Sequence, residues 1–499
     1  MGYNGDSFKI PCNRGGLNAD ANTDLIAPEM MILAKNINLH EGGRGKRGGT
    51  AKVNGTVITD TPIVTGVYDF MIPGGSAAVV FGTSDGKIWK STSATITTGL
   101  TASKKPCFET AGKKLFVCNG YNPPLSWDGG AGNMVALANI PADWTGTNYP
   151  SQFLMHGRGN SQRLWALGCP GTPYTIYVTP NNSFENFADA SVSTFNIDTG
   201  DSFGVFAGVD HLDKMICFGK TQAYVIDDAD TVVSNWGYTQ APWTGGAASR
   251  RLVIKTPTDI ICMMDDGEIY SVSAAQQYGD YKQASLVQTS HIHKYIKDNV
   301  RLSYIDEFHG VYDPNLKAVK IWVVRTGQTT ADTCLVYFVD RGPAEGWVIH
   351  DNSAAVSGYA ASSSALIRVG AGDYQIYTGG YTGFIWKLEY STRTDDGAGY
   401  YGGFKTAPLT FGNERLRKNY ARGWLVLEPK GTETLTINWW VDGVAQTAKT
   451  ITAVSGTRDY GFDLGQNGNR VQFEIYNSTV DFFISQLMID HKKLGANSE

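Results

Sequence analysis

The chain has 499 residues, more than one ordinary core organises, and so predicts either about two or three domains or one large closed repeat with an addition. Its formal net charge is −5, from 42 Lys and Arg against 47 Asp and Glu, which argues against a protein built to grip nucleic acid through phosphate contacts. High glycine (58 residues) and aromatics at 12% combine pleat-forming with turn-forming residues and predict an all-β protein with many short strands, while an ample apolar content of 42% argues against a disordered chain.

Residues 1–50 read as an N-terminal arm. The start is polar, with no apolar segment of the kind a signal peptide carries, and no run along the chain approaches the ~18 apolar residues of a membrane span, so no membrane insertion is expected. Asp6 stands where a myristoylation signal wants Ser or Thr. Within Ala27–Leu39, apolar residues near helical spacing and Pro28 at a first-turn position predict a short helix. A basic, glycine-rich loop follows, Gly42-Gly43-Arg44-Gly45-Lys46-Arg47-Gly48-Gly49, whose backbone could approach a phosphate or a partner closely. The alternative is a solvated turn. It is not a P-loop, because no Ser or Thr directly follows the lysine.

From 51 to 404 the chain carries a degenerate repeat: an apolar strand, a turn with Gly or Asp, then a strand with an aromatic residue. Its members are Ala77–Ser91, Lys113–Gly129, Gln162–Pro180, Asp213–Asp228, Thr258–Ser273, Lys317–Trp347 and Tyr374–Tyr390, which start 36 to 59 residues apart. A unit of that size with two clear strands fits a four-stranded propeller blade, because a ring of blades buries every face and leaves only short edges. The expectation is a β-propeller of about seven blades, with six to eight compatible. Lys294–Ser303 is expected to be a second short helix. Residues 405–419 form a charged connection containing Arg415, Arg417 and Lys418. Beyond it, Leu435, Ile437, Trp439 and Val441 alternate, as do Val471, Phe473 and Ile475, so 405–499 predicts a C-terminal β-sandwich that packs near the N-terminal arm.

No constellation selects a reaction. The seven cysteines are widely spaced, with no CxxC pair, and several sit in apolar runs, which suits small core residues in a chain made in a reducing compartment. Carboxylates such as Asp201, Asp210, Asp213, Asp227, Asp228, Asp265, Asp266, Glu268, Asp306 and Glu307 sit mostly at turns and strand ends, and no glycosidase-like pair stands out. His291 and His293 would share a face of a strand, but no third metal ligand is in sight. Trp127, Trp144, Trp236 and Trp243 lie in loop-like stretches where they could stack on sugars or a partner, although core packing would also explain them. No catalytic, cofactor-binding or metal-ligating residue is therefore assigned.

One resemblance adds to this reading. Gly15-Gly16-Leu17-Asn18, Ala27-Pro28-Glu29-Met30, Ala34-Lys35-Asn36-Ile37-Asn38-Leu39 and Gly43-Arg44-Gly45-Lys46-Arg47-Gly48-Gly49-Thr50 follow one order. That order resembles the opening of tail proteins of double-stranded DNA phages, with Arg44 at a position where the family usually has leucine. Asn160–Leu167 and Gly200–Asp227 look like blades of the packaged-DNA stabilisation protein, the tail hub or nozzle, of short-tailed phages. The resemblance implies a structural virion protein without enzymatic activity. It implies a hexameric ring below a head–tail adaptor, assembled in the host cytoplasm and resident in the virion tail. It also implies tail fibre or spike partners and transient contact with packaged double-stranded DNA. Partner contacts are expected at Arg44, Lys46 and Arg47, facing the adaptor, and at Arg415, Arg417 and Lys418. The alternative is a propeller-type tail protein that binds or cleaves glycans.

Overall fold

A computed structural model describes residues 5–495 apart from 73–76, 92, 190–193, 243–244, 276–279, 289, 354, 413 and 430. Strands dominate the described residues. Seven four-stranded antiparallel units follow one another, and the first strand of each lies beside the first strands of its two neighbours in a closed circle. The chain is therefore a seven-bladed β-propeller with an attached sandwich. In chain order the first strands are Val64–Met71, Cys107–Ala111, Gln152–His156, Ala207–His211, Val253–Lys255, His309–Asp313 and Ser363–Gly370, and they define blades 1 to 7.

The second strands show why the sequence closes this way. In Arg163–Leu167 every residue is buried. Leu164 and Ala166 enter a core shared with blade 2, whereas Trp165 and Leu167 enter the core shared with blade 4. A continuous apolar run, with alternate side chains feeding opposite faces, is what a strand covered on both sides requires. Similar clusters fill the gaps between blades 1 and 2, 4 and 5, and 7 and 1.

Blade 7 is completed from the far end of the chain. Its outer strand is Gly49–Lys52, which pairs antiparallel with Ile385–Tyr390. This strand clasps the ring without leaving an open edge at the join.

The residues expected to form an arm are woven into the sandwich. One sheet contains Asp6–Pro11, Ile37–His40 and Gly43–Lys46 beside Phe483–Gly495, Arg417–Leu427 and Asp459–Gly468. The facing sheet runs Met31–Lys35, Gly402–Thr406, Val471–Asn477, Glu433–Val441, and it continues directly from blade 6 through a parallel pairing of Lys35 with Ile349. Leu435, Ile437, Trp439, Val441, Val471, Phe473 and Ile475 point into the shared core with Leu425, Leu487 and Ile489, as their alternation predicted.

Two local expectations are corrected. Ala27–Leu39 is not helical; it supplies the strands Met31–Lys35 and Ile37–His40, separated by Asn36 at φ 53°. Asparagine tolerates that left-handed conformation, and the reversal lets Ile37 and Leu39 enter the core. The second helix is shorter than expected, His293–Asn299, followed by a 3-10 turn at Leu302–Glu307. All seven cysteines are buried and unpaired.

Candidate functional site

The strongest concentration of buried charge lies where the N-terminal hairpin, blades 6 and 7 and the sandwich meet. Arg44, Lys46 and Arg47 are here, at 1%, 2% and 0% exposure, so the expected solvent-facing loop is a buried strand instead. The glycines explain the difference. A Cβ at Gly43 would lie 2.3 Å from the Ile484 carbonyl oxygen, one at Gly48 2.4 Å from Glu389 Cα, and one at Gly49 2.1 Å from the Thr394 carbonyl oxygen. They allow close packing against protein backbone, not approach to a phosphate.

Arg47 is the hub. Its five N–H groups are all used: Nε donates to Asn36 Oδ1 (3.0 Å), Nη1 to the Gly48 carbonyl (2.7 Å) and Asp395 Oδ1 (3.0 Å), and Nη2 to the Asp351 carbonyl (2.9 Å) and Asp395 Oδ2 (2.8 Å). The guanidinium plane lies 3.7 Å from the Tyr400 ring centre and 4.3 Å from that of Tyr359. Arg44 donates to the Arg14 carbonyl (2.7 Å) and to that of Glu29, and lies over Phe404. Lys46 donates to the Arg393 carbonyl at 3.1 Å, and burial, then the neighbouring Arg47 charge, lower its pKa to about 7.

A second buried pair lies beside it. Lys320 donates to Glu389 Oε1 at 2.8 Å, with Asp313 at 3.3 Å, while Glu389 Oε2 accepts from the Gly48 N–H (2.7 Å) and Asn38 Nδ2 (3.2 Å). Burial pushes the Glu389 carboxyl up, but Lys320 and its neighbours outweigh this and bring it down to about 2. His350 is neutral, its pKa lowered to about 3 chiefly by burial; it holds the Ile37 carbonyl through Nε2 (2.9 Å) and the Tyr359 hydroxyl through Nδ1 (2.8 Å). A polar cleft of about 360 Å³ opens beside these groups, lined by Asn38, Lys46, Asn315, Tyr374 and Glu389 among others.

The other predicted contact residues lie elsewhere. Arg415 and Arg417 are exposed, but Lys418 is buried and donates to the Leu416 (2.8 Å) and Asn469 (3.0 Å) carbonyls. Arg44 pairs with Ile484 and Lys418 with Lys493 on the same long strand, so the two basic groups stand roughly 30 Å apart. They do not form one surface.

The aromatic expectation is also corrected. Trp127, Trp144 and Trp236 are buried at 3%, 1% and 7% exposure, and Trp243 lies outside the described residues. Trp236 stacks on Trp165 at 5.0 Å, and Trp144 packs edge-on against Tyr177. His291 and His293 do not alternate on a strand, because His293 opens a helix.

One constellation has no simple sequence signature. His156, at the end of the first strand of blade 3, bonds Asp210 of blade 4 through Nδ1 (2.8 Å) and Asp228 through Nε2 (2.9 Å). Burial opposes its charge, yet the two carboxylates raise its pKa to about 9. The aspartates are thus committed to an inter-blade bridge and are not available as an acid–base pair. They border a cleft of about 410 Å³ with Arg158, Arg163, Asp213 and Trp165. Their partner, 54 residues away from Asp210, could not be read from spacing.

Comparison with known proteins adds little beyond this geometry. No family model matches the chain, and no curated protein matches it. Among solved structures, YCF48 from Cyanidioschyzon merolae aligns with 11% identity and a TM-score of 0.37, over 68% of this chain and 98% of its own. Saccharomyces cerevisiae Sqt1 aligns with 10% identity and a TM-score of 0.40, over 71% and 99%. The N-terminal domain of Nup159 aligns with 10% identity and a TM-score of 0.38, over 75% and 98%. The blade count rests on the strand pairing of this chain itself.

Proposed function

We propose that this chain is a structural subunit of the tail of a short-tailed phage, a nozzle or hub protein that forms a six-fold ring below the adaptor and retains packaged DNA until ejection. The observation that supports this reading is where the N-terminal motifs fall. Gly15, Gly16, Asn36, Lys46, Arg47, Gly48 and Gly49, among the residues that carry the resemblance, lie where the sandwich meets the propeller. A Cβ at Gly15 or Gly16 would lie within 2.3 Å of a neighbouring carbonyl oxygen. Two β modules joined by one sheet and a buried ionic hub make a stiff wedge, which suits a ring that must hold against internal pressure. The mildly acidic charge suits a wall that DNA slides past.

The test is mass photometry of the full chain, alone and with the adaptor and portal proteins encoded beside it. Six copies in a ring, alone or on the adaptor, are expected. A monomer that ignores both would overturn the reading.

The cleft beside His156 favours a second reading, a glycan-binding tail module, because Arg158, Asp213 and Asn181 offer hydrogen bonds in one concavity. Glycan-array binding that Arg158→Ala abolishes would promote it over the nozzle.

A further inference from the structure

The axis of the propeller is crossed at one end by side chains from opposite sides of the ring. Lys105 stands just before the first strand of blade 2. Its ammonium reaches the Asp306 carbonyl and Glu307 Oε1 (3.0 Å), in the connection just before blade 6. Arg250, just before blade 5, donates to the Lys105 carbonyl at 2.8 Å. Arg251 donates to the carbonyl of Ser362, just before blade 7. In a ring of seven, blade 2 faces blades 5 and 6, so these contacts cross the axis. They lie at the end opposite the sandwich, since the first strands run from the bridge towards the turns that line the cleft beside Lys46.

The charges here do not balance. Glu307 is engaged by Lys105, and among the described residues neither Arg250 nor Arg251 has a carboxylate at ion-pair distance. Arg251 Nη1 is buried without a hydrogen-bond partner. The neighbouring His309 offers no acceptor: Nδ1 bonds Ser364 Oγ (2.8 Å) and Nε2 the Ala361 carbonyl (2.9 Å). Burial first, and then Arg251, push His309 well below its ordinary value and lower Lys105 to about 8. Asp306 moderates the field at Lys105 without removing it. An enclosed guanidinium with an unused donor beside like charges is costly until an anion arrives. Arg250 and Arg251 are each part-buried as residues, so both side chains still meet solvent in part.

We propose that this constriction is a binding site for a small tetrahedral oxyanion, held by Arg250 and Arg251 with Lys105 beside them. Guanidinium forks match oxyanion geometry, and the bound ion would tie the connections into blades 2, 5, 6 and 7 together across the axis. The site requires only the single propeller, so it stands or falls independently of ring assembly.

The experiment is thermal unfolding of the full chain titrated with inorganic phosphate at constant ionic strength. Wild type should show a saturable rise in Tm. Arg250→Gln with Arg251→Gln should weaken the apparent affinity by about tenfold or more, as expected for losing two charge-assisted contacts. Glu307→Gln, which removes the competing carboxylate, should strengthen it. A wild-type response that never saturates, or that the double variant reproduces, overturns the proposal. If the double variant does not fold, Glu307→Gln decides: unchanged or weaker phosphate binding overturns the site.

Discussion

Arg47 and Asp395 stand 348 positions apart in the chain, yet they form a two-point ion pair with both side chains fully buried. The pair joins the end of the N-terminal hairpin to the segment that leaves blade 7, where the propeller passes into the sandwich. Removing one partner leaves an uncompensated buried charge, which costs about 3–5 kcal/mol. Arg47→Met and Asp395→Leu should each destabilise the protein by that order in urea unfolding. The double substitution should cost clearly less than their sum, because the stranded charge is gone. Additive losses would show that the pair contributes little as a pair.

How much of this was legible in the sequence differs by strand. The seven repeat units are the second and third strands of the seven blades, as with Ala77–Thr83 and Lys87–Ser91 in blade 1. Where such strands are buried on both faces, as in Arg163–Leu167 and Ala318–Val323, they announce themselves as apolar runs. Outer strands carry no such signal: Gly237–Gln240 of blade 4 is exposed throughout. The closing strand Gly49–Lys52 pairs across more than 330 positions, which no local pattern encodes. The basic hairpin did leave a trace. Gly43-Arg44-Gly45-Lys46 alternates with period two, as a strand does, but its charge and glycine content read as loop.

The His156 bridge makes part of the stability pH-dependent. Its pKa is raised to about 9, from an ordinary value near 6.5. A group whose folded pKa is raised contributes fully below its unfolded pKa, and that contribution fades as pH rises through the folded one. Stability from this bridge is therefore present at pH 6 and lost by about pH 9. Asp210 is about a third exposed, so solvent screening limits the loss to on the order of 1–2 kcal/mol. His156→Gln should remove the dependence; the Tm difference between wild type and variant, followed from pH 6 to 9.5, checks it.

Lys46 works with the opposite sign. Burial lowers its pKa to about 7, so the folded state resists protonation that the unfolded chain accepts readily. The penalty is full below pH 7 and shrinks as pH rises towards the ordinary lysine value. Lys46→Met keeps the volume over Tyr400 and removes the charge. It should raise stability by on the order of 1 kcal/mol at pH 6, and the gain should shrink by pH 9.5. A loss of stability at pH 6 would mean that the Arg393 hydrogen bond outweighs the buried charge.

The ring clasp offers the sharpest contrast. Gly48 precedes the strand that completes blade 7, and its N–H donates to Glu389 Oε2 at 2.7 Å. An added Cβ would meet Glu389 Cα at 2.4 Å and its carbonyl carbon at 2.6 Å. Both are backbone atoms, so a side-chain rotation cannot relieve the clash. Glu389 itself sits at φ 53°, in a bulge held by Lys320, and has little room to yield. Gly48→Ala should therefore cost about 3 kcal/mol or more, the upper range for overpacking, and should expose the clasp to proteolysis between residues 47 and 63. Gly55→Ala, a few residues on, meets nothing within 4 Å and should fall within about 0.5 kcal/mol of wild type. Limited proteolysis with urea unfolding of the two variants separates a clasp that is structurally required from a strand that merely lies against the ring: equal behaviour would mean that blade 7 closes without it.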